Sequence, residues 1–168
     1  RIVHMSSAIG PVYVSKCSEK IQKLLTNPKV SLDDIEEFIG ACKDILPGDA
    51  KKFQTAGLGT GSPYGISKAC VNALMLLHAR ENPSLKINGT IPGYVATDLT
   101  RGLAEKKGKT LKDLGALTPE QGCYSAYEML FRKSGVASGW LVGSDAVRSP
   151  LDRYRKPGTA AYNPTGML

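Results

Sequence analysis

Short strand-like runs alternate with longer amphipathic segments along the sequence, and this alternation restricts the fold more than any other feature. The strand-like runs cover residues 2–5, 86–91 and 139–142 and predict three buried strands. Strands that are separated by helices pair in parallel through right-handed crossovers. We therefore predict an α/β protein with a parallel sheet, in which functional side chains gather beyond the carboxyl ends of the strands.

Capping signals mark several of the helices. Residues 19–25 predict a short helix. Ser31 followed by Asp34 is an acidic variant of the capping box, and the helical spacing of apolar residues after it predicts a helix over 31–46 that stops at Pro47-Gly48. Thr118, with proline at the first helical position, predicts a further helix.

A long helix is predicted from Tyr64 to about residue 82. Its inner face carries small or apolar side chains, namely Ile66, Cys70, Ala73, Leu74 and Leu77. Residues 54–63 form a glycine-rich loop before this helix, but no strand precedes the loop, so we do not expect it to bind a phosphate. Residues 149–168, rich in proline and glycine, predict an irregular tail after a folded unit over residues 1–148.

Composition excludes several classes of protein. The chain has 168 residues, 42% hydrophobic and 22% charged, which is typical of one soluble globular domain. The longest nearly apolar stretch, residues 69–79, is shorter than the roughly 20 residues of a membrane-spanning helix. The four cysteines form no CxxC pair, and with two histidines they offer no zinc-like spacing. We predict a cytoplasmic protein with reduced thiols, no metal site and no membrane partner.

The chain is basic, with a formal net charge of +7 and a pI near 9.3. A positive charge suits a polyanionic partner, either nucleic acid or a phosphorylated cofactor, and the sign alone does not choose between them. Basic residues concentrate at 106–112 and 148–156, where aromatic residues do not interleave with them in a stacking pattern. We therefore interpret both segments as solvated faces and expect no nucleic-acid partner.

Tyr64 and Lys68 stand four residues apart at the start of the long helix, so both side chains lie on one face. A tyrosine is a poor proton donor near neutral pH because its ordinary pKa is about 10, whereas a neighbouring ammonium favours the phenolate. The pair is therefore a candidate for acid–base chemistry. An exposed helical pair without chemistry is the alternative, because this spacing also arises by chance.

Three motifs occur in order, each at the boundary of an element. They are Arg1-Ile2-Val3-His4-Met5-Ser6-Ser7, Tyr64-Gly65-Ile66-Ser67-Lys68 and Ile91-Pro92-Gly93-Tyr94-Val95-Ala96-Thr97-Asp98. Together they resemble the second half of the short-chain dehydrogenase/reductase family, as far as Val147. The long insertion between Ser7 and Tyr64, which includes the helix over 31–46, resembles the cytosolic monomeric carbonyl reductases. The resemblance implies a Rossmann-like doubly wound parallel sheet, here its carboxyl-terminal half.

The resemblance also implies catalytic roles and a cofactor. Tyr64 would give a proton to the carbonyl oxygen of a small-molecule substrate while NADPH supplies the hydride. Lys68 would favour the phenolate form of Tyr64 and hydrogen-bond the nicotinamide ribose. Ser7, the second serine of its pair, would hold and polarise the carbonyl oxygen. For Ser7 alone, a plain capping role at a strand end is the alternative interpretation.

Four residues after the second strand complete the expected cofactor site. By the same resemblance, Pro92, Gly93, Val95 and Thr97 would line the nicotinamide, alongside Tyr64 and Lys68; a plain turn at Pro92-Gly93 is the alternative. Residues 99–117 fall where the family keeps a mobile substrate-binding loop, which we interpret as a solvated lid. His4 occupies a strand position where the family often has asparagine, and we interpret it as a packed, hydrogen-bonded side chain.

The dinucleotide-binding half of the family has no counterpart in these motifs. We therefore expect the chain to be the carboxyl-terminal part of a longer reductase and the strand at Ile2 to form an open sheet edge. The insertion would cover the helix surface through which many relatives associate, so we expect a monomer. Two alternatives stay open: a non-catalytic relative that acts by binding, and a dehydrogenase or reductase of steroid or terpenoid alcohols.

Overall fold

A computed structural model of the chain describes residues 1–45, 50–132 and 135–164. In chain order its elements are β1 (Ile2–Met5), α1 (Ile9–Val14), α2 (Glu19–Leu25), α3 (Leu32–Lys43), α4 (Ala50–Thr55), α5 (Pro63–Glu81), β2 (Ile87–Thr90), α6 (Asp98–Glu105), α7 (Pro119–Tyr127), a π-helical turn (Glu128–Arg132), β3 (Leu141–Val142) and β4 (Arg148–Ser149). None of the helices within these ranges is long and apolar enough to cross a membrane.

The four strands form one sheet in the order β1-β2-β3-β4. β1 pairs in parallel with β2, and β2 in parallel with β3, whereas β4 returns antiparallel to β3. The three predicted strands are therefore present. β3 begins at Leu141 rather than at Gly139, because Gly139 has φ +83° and leaves the extended conformation. β4 was not predicted, since two residues are too few to give a sequence pattern.

Helices cover both faces of the sheet. Consecutive strand residues point to opposite faces, and on β2 a Cβ placed on Gly89 would lie 3.2 Å from the sulfur of Met75 on α5. The next residue, Thr90, is fully buried and hydrogen-bonds Ser125 of α7. Helices α5 and α7 thus lie on opposite faces, and the predicted doubly wound α/β architecture is confirmed.

The capping signals placed two helices correctly. The Ser31 hydroxyl accepts a hydrogen bond from the Asp34 amide at 3.1 Å, and the Asp34 carboxylate accepts one from the Ser31 amide at 2.8 Å. The same reciprocal pattern joins Thr118 and Gln121 at the start of α7. Helix α3 ends at Lys43, and the predicted stop at Pro47-Gly48 lies outside the described residues.

Helix α5 is buried over more of its surface than its predicted inner face. Of the predicted positions, Ile66, Ala73 and Leu77 are buried, whereas Cys70 and Leu74 are only partly buried. The buried set also includes Ala69, Asn72, Met75 and Leu76. The reason is that α5 has the sheet on one side and α1 and α3 on another. Two glycines allow the close approach of α1: a Cβ on Gly65 would lie 2.7 Å from the Tyr13 ring, and one on Gly10 would lie 2.9 Å from the Asn72 side-chain nitrogen.

The insertion between β1 and α5 contributes its own part of the core. Helix α3 buries Ile35, Phe38 and Cys42, and Phe38 meets Tyr13 of α1 edge to face, with ring centroids 6.5 Å apart. Helices α1 and α4 were not predicted. The proline within α1 and the six-residue length of each helix leave little periodic signal.

Residues 150–164 contain no helix or strand, but they are held against the domain. Arg155, which was expected on a solvated face, is 9% exposed and pairs with Asp145. Its guanidinium also donates to the Thr159 carbonyl at 2.8 Å, and the Gly158 amide donates to Asp145 at 2.8 Å. The solvated-face interpretation is therefore wrong for Arg155, whereas the lysines of 106–112 are exposed as expected.

Candidate active site

The carboxyl ends of the parallel strands bring two of the three sequence motifs side by side. The Ser6 amide, just after β1, donates to the Thr90 carbonyl at the end of β2 at 2.8 Å, and the Ile91 amide donates to the Val142 carbonyl of β3 at 2.8 Å. The loops that begin at Ser7 and at Pro92 therefore leave the same edge of the sheet. This is the edge at which ligands bind in open α/β sheets.

Ser7 lies in the turn that leads into α1. Its hydroxyl oxygen accepts a hydrogen bond from the Ile9 amide at 3.3 Å, and its carbonyl accepts one from the Gly10 amide at 3.1 Å. The hydroxyl proton has no acceptor within the described residues, so it is available to a ligand. Ser7 lines a pocket of about 260 Å³, together with Ala8, Ile9, Ile91, Gly93, Tyr94, Gly143, Ser144, Tyr154, Arg155 and Pro157.

Tyr64 lies in the first turn of α5, whose start is fixed by the Ser62 hydroxyl, which accepts from the Gly65 amide at 3.2 Å. The Tyr64 side chain is 54% exposed, and its hydroxyl makes no hydrogen bond to any other part of the chain that the structure describes. One turn later, the Lys68 ammonium lies 5.7 Å from the centroid of the Tyr64 ring. The helical spacing therefore places the phenol and the ammonium together, with the phenol open to solvent.

Lys68 connects this helix to the strand that carries Ser7. Its ammonium donates to the Met5 carbonyl at 3.0 Å, two residues before Ser7. An ammonium has three protons, so one hydrogen bond to the main chain leaves further donors for a ligand. The structure thus brings Lys68 to both Tyr64 and the end of β1. Tyr64 does not line the pocket beside Ser7, whereas Gly93 does.

The loop after β2 is shaped by two glycines. Gly93 has φ +89°, and a Cβ there would lie 2.9 Å from Leu117. Val95 packs against Gly122 of α7, where a Cβ would lie only 2.5 Å from a Val95 methyl group. Leu117 then holds the loop from the other side, because its amide donates to the Tyr94 carbonyl and its carbonyl accepts from the Ala96 amide, both at 2.8 Å.

The remaining predicted cofactor residues differ in exposure. Pro92 and Val95 are half-buried, and Thr97 is exposed at the start of α6. The Thr97 amide donates to the Thr100 hydroxyl at 2.9 Å, which begins the helix inside the predicted lid over 99–117. Pro92, Val95 and Thr97 lie on the loop that carries Gly93, and the structure does not place these three against the pocket beside Ser7.

Sequence reasoning missed the contribution of the tail to this edge. Tyr154, Arg155 and Pro157 line the pocket beside Ser7, and the buried pair of Arg155 with Asp145 holds them there. Burial opposes ionisation of Asp145, but hydrogen bonds from the Gly158 amide and from Arg155 outweigh it and hold the pKa of this carboxyl below its usual range. No local pattern marks such a pair, because its members are ten residues apart in an irregular segment.

His4 lies within β1 and faces the sheet-side surface of α5. Its Nε2 atom lies 3.4 Å from Nδ1 of His78, and the two rings are tilted with centroids 5.3 Å apart. Burial and the neighbouring His78 lower the pKa of His4. The interpretation of His4 as a packed, hydrogen-bonded strand residue is confirmed.

Comparison with known proteins shows which proteins this chain is similar to. The short-chain dehydrogenase/reductase 1 of Saponaria officinalis is 32% identical over 142 residues, which cover 83% of this chain and 42% of that protein. The human protein named carbonyl reductase (NADPH) 1 is 26% identical over 125 residues, which cover 71% of this chain and 43% of that protein. This chain is a relative of the short-chain dehydrogenases/reductases. No family model matches the sequence.

A solved structure supports the fold of this chain. Salutaridine reductase from Papaver somniferum superposes with a TM-score of 0.61 at 23% identity, covering 84% of this chain and 44% of that one. This chain thus spans less than half the length of each of these proteins. This partial coverage agrees with the resemblance stated above, in which the three motifs belong to the second half of the family's domain.

Proposed function

We propose that this chain is part of an oxidoreductase that uses NADPH to reduce aldehydes, ketones or quinones to alcohols. The observation that carries the proposal is the position of Lys68, whose ammonium contacts the Tyr64 ring and donates to the Met5 carbonyl, two residues before Ser7. This contact joins the two motifs that hold the candidate acid and the candidate carbonyl-binding hydroxyl. Both hydroxyls are available to a substrate.

The residues present fit the nicotinamide end of the cofactor. At Gly93, φ is +89° and the space for a side chain is already filled by Leu117, so the main chain itself can form the surface beside Ser7. Lys68 has unused donors for ribose hydroxyls. The bound cofactor supplies the hydride. We propose no residue of this chain as a contact for the adenosine half of the cofactor.

Each of the three candidate catalytic side chains has its own role in the proposed reaction. Tyr64 is the general acid, and its phenol gives a proton to the carbonyl oxygen as that oxygen gains negative charge. Ser7 donates a hydrogen bond to the same oxygen and orients the substrate, which stabilises the developing charge. Lys68 keeps its charge and stabilises the phenolate that Tyr64 leaves behind, and solvent then returns one proton to that phenolate. The exposure of Tyr64 makes that return of a proton direct.

The test is substitution of Tyr64 in the full-length protein that contains this chain. Tyr64→Phe removes only the acidic hydroxyl, so turnover should fall by a factor of about 10² or more while the dissociation constant of NADPH stays nearly unchanged. Cofactor oxidation is followed by absorbance with NADPH and with NADH, against an aldehyde, a ketone, a quinone and a terpenoid ketone. Retained turnover of Tyr64→Phe would overturn the assignment.

Matched controls separate chemistry from damage to the fold. Tyr127→Phe removes a hydroxyl that is similarly exposed, 47% against 54%, but lies on α7, and it should leave turnover unchanged. Ser7→Ala should lower turnover by a factor of about 10². Ser67→Ala, whose hydroxyl bonds only the Tyr64 carbonyl within the same helix, should not.

We also propose that the enzyme is a cytoplasmic monomer without nucleic-acid or membrane partners. Support for the monomer comes from α3, whose buried face lies over α5 and over the core formed with Tyr13. This packing occupies helix surface that would otherwise be open to a second copy. Light scattering on the full-length protein should give the mass of one chain, and the mass of a dimer would contradict the proposal.

A further inference from the structure

A second pocket, of about 500 Å³, lies away from the candidate active site. It is bounded by the last turns of α5, the loop after α2, strands β3 and β4, and the tail. Lys68 belongs to the first turns of α5 and Arg80 to the last, so the two ends are about 18 Å apart along the helix axis. The pocket is therefore separate from the carboxyl edge where Ser7 and Gly93 lie.

The walls of this pocket combine an apolar floor with two aromatic rings. The apolar side chains come from three elements and are Leu76, Ala79, Leu141 and Leu151. The rings belong to Trp140, next to β3, and to Tyr162 of the tail. Pockets for small molecules are mostly apolar, with a few polar groups that fix the orientation of the ligand. The apolar floor alone would accept any compact hydrophobic body.

The guanidinium of Arg148 is the group in this pocket that would favour an anionic ligand over a neutral one. Its guanidinium carbon lies 4.6 Å from the centroid of the Trp140 ring and 5.8 Å from that of Tyr162. Stacking on aromatic faces holds a guanidinium in place while its N–H groups remain available as donors. Within the described ranges no carboxylate lies within 4.0 Å of this guanidinium, and its side chain makes no hydrogen bond.

The rest of the pocket is also positive. Lys29 and Arg80 line it, and Arg80 donates to the Val30 carbonyl at 2.7 Å, which fixes the loop that carries Lys29. Asp152 is the one carboxylate among the described lining residues, and it is paired with Arg153 at 2.9 Å. Arg80 is also paired with Glu81 at 3.9 Å. Arg148 and Lys29 are therefore the lining cations that have no carboxylate within 4.0 Å in the described ranges, and the single lining acid is already paired.

We propose that this pocket binds a small organic anion with a compact apolar body and one carboxylate. The apolar body lies on the floor formed by Leu76 and Leu141, and the carboxylate accepts from the guanidinium of Arg148, with Lys29 adding a second positive charge. The site is independent of the proposed reductase reaction, because it shares neither Ser7 nor Tyr64 nor Lys68. Binding is therefore measured without cofactor or carbonyl substrate.

Trp140 is the only tryptophan among these 168 residues. In the full-length protein that contains this chain, the part of the fluorescence change that is lost in Trp140→Phe therefore reports on this pocket. The probes are adamantane carboxylate and its neutral counterpart adamantane methanol, neither of which absorbs light where tryptophan does. Titration of the carboxylate should change the fluorescence in a saturable way, and calorimetry should give one site per chain. The neutral probe should bind about tenfold more weakly, since it lacks a charge-assisted hydrogen bond.

Substitutions then identify the group that recognises the anion. Arg148→Met keeps the length of the side chain and removes the charge, so the carboxylate should bind about tenfold more weakly or worse. Arg132→Met is the matched control, because Arg132 also stacks on a tyrosine, 5.4 Å from the Tyr127 centroid, but outside the pocket. It should bind the probe as the unaltered chain does.

Three results would overturn the proposal: no saturable signal with the carboxylate, equal affinity for the neutral probe, or full affinity in Arg148→Met. Thermal unfolding checks that each variant is folded. If Arg148→Met is not folded, Lys29→Met decides, because this exposed lysine can change without loss of packing. Weaker binding of the carboxylate alone then supports the proposal, and unchanged binding of both probes contradicts it.

Discussion

The two pockets, one at the carboxyl edge of the sheet and one beside the last turns of α5, are surrounded by polar side chains that are held in different ways. At the carboxyl edge the loops are held mainly by main-chain hydrogen bonds, such as those between Leu117 and residues 94 and 96, and the Ser7 and Tyr64 hydroxyls keep their protons free. In the other pocket Arg148 is held by stacking on Trp140 and Tyr162. Where main-chain hydrogen bonds hold the loops, polar side chains such as Ser7 keep their protons free for a reaction. Where neighbouring side chains hold a polar group, as the two rings hold Arg148, the group is fixed in a position from which it can bind a ligand.

One segment contributes to both pockets. Tyr154 and Pro157 face the pocket beside Ser7, whereas Leu151 and Tyr162 face the pocket with Arg148. The pair of Asp145 with Arg155 fixes this segment to the domain at a point between Leu151 and Tyr162. Substitutions at this pair should therefore affect both pockets, whereas substitutions elsewhere should affect one pocket.

The largest effect is expected for Asp145→Ala. The substitution leaves the Arg155 guanidinium buried without its carboxylate, and removing one partner of a buried ion pair costs about 3 kcal/mol. Urea denaturation measures the free energy of unfolding. The control is Asp152→Ala, which breaks the more exposed pair with Arg153 and should cost less than about 1 kcal/mol. Equal losses in the two variants would show that the buried pair does not hold the segment.

A smaller effect, confined to the carboxyl edge, is expected for Gly122→Ala. The added methyl group would lie 2.5 Å from Val95, so the loop after β2 must shift, at a cost of about 1–3 kcal/mol. Gly102→Ala is the control on another helix, because nothing lies within 4 Å of the added atom there. That variant should gain up to about 1 kcal/mol from helix propensity. If Gly122→Ala gained as much, the close packing of Val95 would be excluded.

The smallest effect concerns His4. Its pKa is lowered in the folded protein, so the unfolded chain binds more protons as the pH falls below the ordinary value of 6.5. Stability should therefore be complete above that pH and decrease as the pH falls from it towards the folded pKa. His4→Asn should lose less stability over the same interval, as measured by urea denaturation at a series of pH values. An identical slope in both proteins would contradict the role of His4.

The sequence predicted what depends on neighbouring residues. The capping box at Ser31, the N-cap at Thr118 and the spacing of Tyr64 and Lys68 are local patterns, and the structure contains all of them. The alternation of strand-like runs with helices predicted the parallel sheet and the edge at which functional side chains gather. Contacts between distant residues were beyond reach, because Lys68 meets the Met5 carbonyl 63 residues away and only the completed fold aligns them.

The tail is a second region in which the sequence predicted the local structure but not the contacts with distant residues. Proline, glycine and basic residues predicted an irregular, solvated segment, and residues 150–164 do lack helix and strand. What composition does not reveal is that Arg155 finds an acid and several carbonyls inside the fold. An irregular backbone can therefore be firmly held, and its residues can line both pockets.

The contact between Lys68 and Met5 has a consequence for how this edge tolerates mutation. The acceptor is a main-chain carbonyl, which every amino acid possesses, so no exchange of the side chain at position 5 removes it. The ammonium at position 68, in contrast, has no substitute in the backbone. The geometry of this edge is therefore robust at one end of the contact and fragile at the other, and random mutagenesis should recover many residues at position 5 and almost none at position 68.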